Sequence, residues 1–341
     1  MRLFKCLALM GLTAFALWGC AADPSSFTHE VAGEQKPWLS ERFDAAPDKF
    51  TFAIISDLNG GERAGVFSLA VDQINLLRPE FVVSVGDLID GPSEDAASLQ
   101  QEWDSFDERA AKLRAPFFHV GGNHDLTGEA LREFWAARYG PLYYSFVYKN
   151  ALFLVLDTED NTPERMKEIF EARNAAIKVL DGPNPEAARD MEYFKMPERI
   201  SGAVGAEQAA YFEKAIADHP DVRWIFLFMH KPVWQREDDN PFKRIEAALK
   251  DRPYSLFNGH FHSYSHTEKN GRDYIILGTT GGGQDAADEH SFDHITLVTM
   301  DEGGPSIATL RMDGVLDKSG ALPPEAASMC FQASRCAAQK P

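Results

Sequence analysis

The apolar run Pro116-Phe117-Phe118-His119-Val120 stops on paired glycines, Gly121 and Gly122, and then presents Asn123, His124 and Asp125. A run that ends this way reads as a buried strand giving out into a functional loop. The glycines let the backbone turn tightly, so that three polar side chains can reach one point. Taken alone the loop is ordinary, because Asn and Asp fill many turns for local hydrogen-bonding reasons. The other strand ends decide the matter, since they carry the same kind of side chain.

Phe50 to Ser56 has the pattern of a buried strand ending on Asp57, and a helix pattern follows over Val66 to Leu77. Phe81 to Val85 is a second strand, ending in Gly86-Asp87-Leu88-Ile89-Asp90, and a helix over about Glu94 to Leu113 leads into the third. Strand and helix in alternation predict a parallel sheet with right-handed crossovers. Ligands of such sheets collect at the carboxyl ends of the strands. Tyr143–Tyr148 and Leu152–Leu156 read as an antiparallel hairpin. The stretch 157–203 is charged, broken by prolines and weakly periodic, and reads as a lid-like insertion. A helix over Ala206 to Asp218 precedes the strand Trp224–Met229, which ends on His230. After a further helix, Tyr254–Phe257 ends in Asn258-Gly259-His260-Phe261-His262. Two hairpins close the chain, turning at Asn270-Gly271 and near Gly303-Gly304. The second half is richer in antiparallel pairing, which predicts a second, mixed sheet packed against the first.

With 25% charged and 44% apolar residues in 341, the chain has the balance of a folded protein with a substantial core. Its net charge is −18, and loss of residues 1–19, which hold Arg2 and Lys5 and no acid, makes it −20. Such a surface repels polyphosphate backbones, and no Lys/Arg cluster overrides it, so a nucleic acid polymer is not an expected partner. Residues 1–19 read as an export signal with a basic start and an apolar core too short to span a bilayer. It ends in Leu17-Trp18-Gly19-Cys20, which resembles a bacterial lipobox. The expectation is a lipoprotein anchored through Cys20 to a membrane surface of the bacterial envelope, the outer membrane in particular because Ala21 follows the cysteine. The alternative is an ordinary cleaved signal. Residues 20–48 read as a tether, 49–315 as the folded domain, and 316–341 as a tail in which Cys330 and Cys336 are placed for a local disulfide.

Asp57, Asp87, Asn123 with His124, His230, and His260 with His262 thus stand at five strand ends. Each alone is an ordinary turn or loop residue. Together they form a carboxylate, imidazole and amide set of the kind that holds Mn, Fe or Zn, and the lack of thiolates argues against structural zinc or iron–sulfur.

In order and strand context these residues resemble the calcineurin-like metallophosphoesterase superfamily, whose motifs are D-x-H, G-D-x-x-D, G-N-H-D/E, an isolated His, and G-H-x-H. Here they stand as Asp57-Leu58-Asn59, Gly86-Asp87-Leu88-Ile89-Asp90, Gly122-Asn123-His124-Asp125, His230 and Gly259-His260-Phe261-His262. The resemblance runs from about Phe50 to Gly283. It implies an α/β fold of two mixed β-sheets packed as a sandwich flanked by helices. It also implies two divalent metal ions, one on Asp57, Asp87 and His262 and one on Asp87, Asn123, His230 and His260, with Asp87 bridging. The implied activity is hydrolysis of a small phosphorylated substrate, a monoester or diester, by a metal-bridging hydroxide. His124 would assist the leaving group and Asp125 would orient His124. The family's first-motif histidine is Asn59 here, a harder and weaker ligand that loosens the first metal or biases it toward Mn²⁺ or Mg²⁺. Asp90 stands where purple acid phosphatases carry Tyr, which argues against an Fe(III)–phenolate centre.

Arg63 is a candidate for substrate phosphate, or a solvated arginine opening a helix. Trp234 either walls the pocket or simply packs, and Gly281-Gly282-Gly283 would let backbone approach the site. His119 is expected in the core, and His266 lies near the last metal loop in sequence. The rival reading is a metal-binding scaffold of the same fold without turnover. Asn59 favours it, and the retention of His124 opposes it.

Overall fold

The computed structural model describes Ala46, residues 48–322, Ala326 and residues 328–338. The expected export signal, Cys20 and nearly all of the tether lie outside the described residues. The first sheet has the order β11-β10-β1-β2-β3. It is built from β1 (Phe50–Ile55), β2 (Phe81–Ser84), β3 (Phe117–Phe118), β10 (His294–Asp301) and β11 (Gly304–Arg311). The second has the order β4-β5-β6-β7-β9-β8. Its strands are β4 (Tyr144–Tyr148), β5 (Ala151–Val155), β6 (Trp224–Phe228), β7 (Tyr254–Asn258), β8 (Ser265–Lys269) and β9 (Arg272–Ile276). Both sheets are mixed. β1, β2 and β3 run parallel, as do β5, β6, β7 and β9, while the hairpins pair antiparallel.

The central strands read as continuous apolar runs because both of their faces are covered. One face of each sheet meets the other in a phenylalanine-rich layer holding Phe52, Phe81, Phe153, Phe226 and Phe228. The Phe52 and Phe81 rings stack 5.1 Å apart, and Phe153 meets Phe52 edge-on. The outer face of the first sheet is covered by α1 (Val66–Leu77), α2 (Ala96–Ala110) and α4 (Glu129–Tyr139), which follows the single turn α3 (Asn123–Leu126). α7 (Ala206–Asp218) and α8 (Phe242–Leu249) cover the second. The result is the expected α/β sandwich flanked by helices. Among the described residues no helix is long and apolar enough to cross a membrane.

The 157–203 stretch is helical, which its weak periodicity did not predict. α5 (Pro163–Leu180) starts on Thr162, whose hydroxyl accepts from Arg165 N at 3.3 Å, with proline in the first turn where its missing N–H costs nothing. Two 3-10 turns and the short α6 (Pro197–Ser201) complete the segment. α5 buries Ile169, Arg173 and Ala176, a stripe at the i, i+4, i+7 spacing with a cation in its middle. At the end of the described chain Cys330 and Cys336 form a disulfide, next to α9 (Ala333–Ala338), which contains Cys336.

His119 lies under α2 and α4 with its ring stacked on Tyr139 at 4.1 Å. Burial pushes this imidazole down to about 4; Asp107 pulls it up, and Arg138 pushes with burial. An unfolded histidine titrates near 6.5, so between those values the unfolded chain binds a proton that the folded chain does not. Stability therefore falls as pH falls through that window, by about 1 kcal/mol per pH unit from this group. Urea unfolding at pH 6.5 and pH 4.5 is expected to show a smaller loss for His119→Phe than for the parent. An equal loss would mean that His119 is not the group responsible.

Candidate metal centre and active site

The parallel strands of both sheets end along one seam. Asp57 follows β1, Asp87 follows β2, Asn123 opens α3 after β3, His230 follows β6, and His260 and His262 follow β7. The loops are strained in a way that fixes side-chain direction. Asp87, His260 and His262 all have positive φ, at 57°, 80° and 55°, which non-glycine residues adopt at a cost and keep mainly where geometry over-determines them. Neighbouring chain must also come close. A Cβ on Gly122 would overlap Asp87 Oδ1, and one on Gly259 would overlap Asp57 Oδ2. Small residues at these two positions let the carboxylates sit against backbone.

Two groups of potential ligand atoms result, each with all atoms within 4.8 Å of one another: Asp57, Asp87 and His262, and Asp87, His230 and His260. Asp87 belongs to both. Each histidine already commits one ring nitrogen to a backbone carbonyl. His230 Nδ1 donates to Val85 O at 2.9 Å, His260 Nε2 to Arg199 O at 2.7 Å, and His262 Nδ1 to Gly283 O at 2.6 Å. A carbonyl only accepts, so these bonds fix the tautomers and leave the opposite nitrogens with lone pairs. Yet His230 Nε2 stands 3.1 Å from Asp87 Oδ2 and 3.2 Å from Asn123 Oδ1, and His262 Nε2 stands 3.4 Å from Asp57 Oδ1. Lone pair facing lone pair is repulsive unless a cation, proton or metal, lies between. The residues present fit divalent metal ions.

The electrostatics agree. Burial alone would lower His230, but the Asp87 carboxylate outweighs it and pushes this imidazole up to about 9. Burial opposes ionisation of Asp87, while His230 and His124 together hold it well below the usual carboxylate range. Burial, then Lys231 and His230, hold His260 well below its ordinary value, which leaves it neutral, as a metal ligand must be.

His124 lies beside these groups. Its backbone N–H donates to Asp87 Oδ1 at 2.9 Å, its Nδ1 bonds the Asp90 carbonyl at 2.5 Å, and its Nε2 is 3.9 Å from Asp87 Oδ2. The expected orienting role of Asp125 is corrected here. Asp125 accepts from Gly122 N at 2.8 Å, Leu88 N at 2.9 Å and Ile89 N at 3.1 Å, and so ties the third loop to the second. The Asp90 backbone orients His124 instead. A main-chain carbonyl has no residue-type signature, so no sequence signal could have found it.

Arg63 is a second correction. Its guanidinium donates to Asp293 Oδ1 at 2.5 Å, Gly282 O at 2.9 Å and Cys330 O at 2.7 Å. It ties the glycine loop to the disulfide-bearing segment and has little left for substrate. Asn59 donates Nδ2 to Leu88 O at 3.1 Å, while its buried Oδ1 has no partner among the described residues. Gly281–Gly283 does approach the site, with Gly282 N on Asp57 O at 2.9 Å. Trp234 packs against the core of the second sheet and does not line the cavity over the site, bonded to Asn258 Oδ1 at 3.2 Å and edge-on to Tyr274. His266 pairs with Asp273 on the β8–β9 hairpin, apart from the site.

Sequence reasoning missed two groups. Lys231 forms a buried ion pair with Glu159 at 2.7 Å, joining the end of β6 to the start of the insertion. The insertion also walls a cavity of about 600 Å³ over the centre, with Asp87, Asn123, His124, His260 and His262 on one side and Arg173, Tyr193 and Phe194 on the other.

The sequence profile of the calcineurin-like phosphoesterases matches residues 50–264, well over half of the chain and all five strand-end motifs. The chain belongs to that family. No curated protein is significantly similar to this chain. Among solved structures it is similar to a dimetal phosphatase from Danio rerio, at 16% identity and a TM-score of 0.54, over 77% of this chain and 96% of that one. It is similar to PhoD at 12% identity and a TM-score of 0.50, over 78% of this chain and 70% of that one. At such identities the likeness is one of fold alone.

Proposed function

We propose that the protein hydrolyses a phosphoric ester with two divalent cations. Asp57, Asp87 and His262 would hold one, with Asn59 at its edge, and Asp87, Asn123, His230 and His260 the other. The observation that carries this reading is the pair of ligand groups sharing Asp87, with every imidazole's other nitrogen already spent on a carbonyl. Bound cations there neutralise phosphoryl oxygens and make water acidic enough to serve as nucleophile at neutral pH. Mn²⁺ is the first choice, since an amide at Asn59 favours harder ions over Zn²⁺.

The chain's own residues do the rest. Val85, Arg199 and Gly283 carbonyls hold the imidazoles in one orientation, so little is reorganised when substrate arrives. His124, anchored at Nδ1, presents Nε2 to the cavity. Burial holds it below its ordinary value while Asp87 raises it and Arg173 lowers it. An arriving phosphate dianion adds the negative charge that favours a proton on Nε2, from where the departing alkoxide oxygen takes it. The N-terminal leader supports a site of action at a bacterial envelope, with Cys20 lipidated, and the Cys330–Cys336 disulfide suits such an oxidising compartment.

Metal-stripped protein is expected to be inert toward an aryl phosphomonoester and an aryl phosphodiester, and to gain turnover of at least one on titration with Mn²⁺. Tight calorimetric binding of metal with no turnover of either ester, under any divalent cation, would favour the scaffold reading.

A further inference from the structure

Arg173 has no evident structural reason to be where it is. It sits in the buried stripe of α5 at 4% exposure, where a leucine would serve the fold better. Its Nη1 is fully buried without a partner, and among the described residues no hydrogen bond or ion pair engages its side chain. Lining the cavity over the metal centre, it is near enough to His124 to act on that imidazole. A buried cation without a partner is costly, and such groups are kept where an anion completes them.

We propose that Arg173 binds the phosphoryl oxygen that the metal centre leaves free, and so selects a phosphomonoester over a diester. The inference rests on the hydrolytic reading above and names its substrate class. A diester has two non-bridging oxygens, and two cations suffice for them. A monoester dianion has three, and the third needs a donor of its own. A guanidinium supplies two or more N–H groups in a planar fork suited to that oxygen.

The cavity also says what the ester carries. Leu180, Ile200 and Phe261, at 44%, 40% and 38% exposure, are large apolar side chains left open, and all three line this one cavity. Tyr193 and Phe194 stand edge to face beside them, and the Arg199 guanidinium lies 4.4 Å over the Phe194 ring. Asp285 and Asp288 on the opposite wall repel a polyanion. The organic arm is therefore apolar or aromatic, and short in charge.

The test is calorimetric binding in Mn²⁺ buffer of phenyl phosphate, diphenyl phosphate and glycerol 2-phosphate to the parent, Arg173→Met and Arg173→Lys. Phenyl phosphate is expected to bind the parent several-fold more tightly than glycerol 2-phosphate. It should lose about ten-fold or more in Arg173→Met, with partial recovery in Arg173→Lys, while diphenyl phosphate changes by less than about three-fold. Arg173→Met, which keeps the apolar stem, should also melt at a higher temperature than the parent, because an uncompensated charge has left the interior. Equal losses for the two phenyl esters, or unchanged monoester affinity, would overturn the role of Arg173. Equal affinity for the phenyl and glycerol monoesters would overturn the apolar arm. The expected binding pattern without turnover would leave Arg173 standing and remove the hydrolytic reading. Turnover with binding indifferent to Arg173 would do the reverse.

Discussion

Exchange of Asp87 for asparagine is expected to remove both metals and, with them, essentially all turnover. Asp87 belongs to both ligand groups and is held at positive φ between the two sheets. An amide offers one oxygen where the carboxylate offers two, and it removes the negative charge that keeps His230 and His124 close. Turnover should fall by at least about 10³-fold, on the order of 4 kcal/mol of barrier. Metal content separates this from a generic defect. His262→Ala and His230→Ala each leave one ligand group intact and should retain about one equivalent, whereas Asp87→Asn should retain none. Parent-like metal content in the Asp87 variant would mean that the centre is not built around this residue.

His124→Ala is expected to leave metal content and substrate affinity near those of the parent and to lower kcat by about 10²–10⁴-fold. The ring is anchored at Nδ1 on the Asp90 carbonyl and reaches the cavity through Nε2, so its loss removes a proton donor and not a ligand. The effect should depend on the leaving group. An alkyl ester, whose alkoxide departs poorly, should suffer the full loss, and a dinitrophenyl ester, whose anion needs no proton, much less. Equal losses across both esters, or loss of metal, would place His124 in the metal shell instead.

The strand ends were legible in the sequence because metal-ligand chemistry leaves a residue-type mark. Asp, Asn and His stopping apolar runs name the seam before any fold is known. α1 and α7 were legible for a similar reason, since each buries an apolar stripe at helical spacing. α5 was not, because the middle of its buried stripe is Arg173, which a periodicity reading scores as a surface position. The expectation for Arg63 failed on distance along the chain. Its partner Asp293 lies in a segment that only the folded sheet brings near. Asp125 was misread because its partners are backbone amides, which a sequence does not display.

The division of labour between floor and wall has an evolutionary consequence. The candidate metal ligands reside in loops that end strands, while much of the cavity's wall, including Arg173, Leu180, Tyr193, Phe194 and Ile200, comes from a single inserted stretch. That stretch is tied to the rest by the Lys231–Glu159 and Arg132–Asp157 ion pairs, each at 2.7 Å, by Arg199 O, which accepts from His260 at 2.7 Å, and by Gly202 O, which accepts from Arg236 Nη1 at 2.6 Å. Its side chains can change freely only while a carbonyl stays in place at Arg199, because His260 takes its orientation from there. A lineage built this way is expected to acquire new substrates by changing the side chains of this stretch while its backbone at Arg199 stays in place.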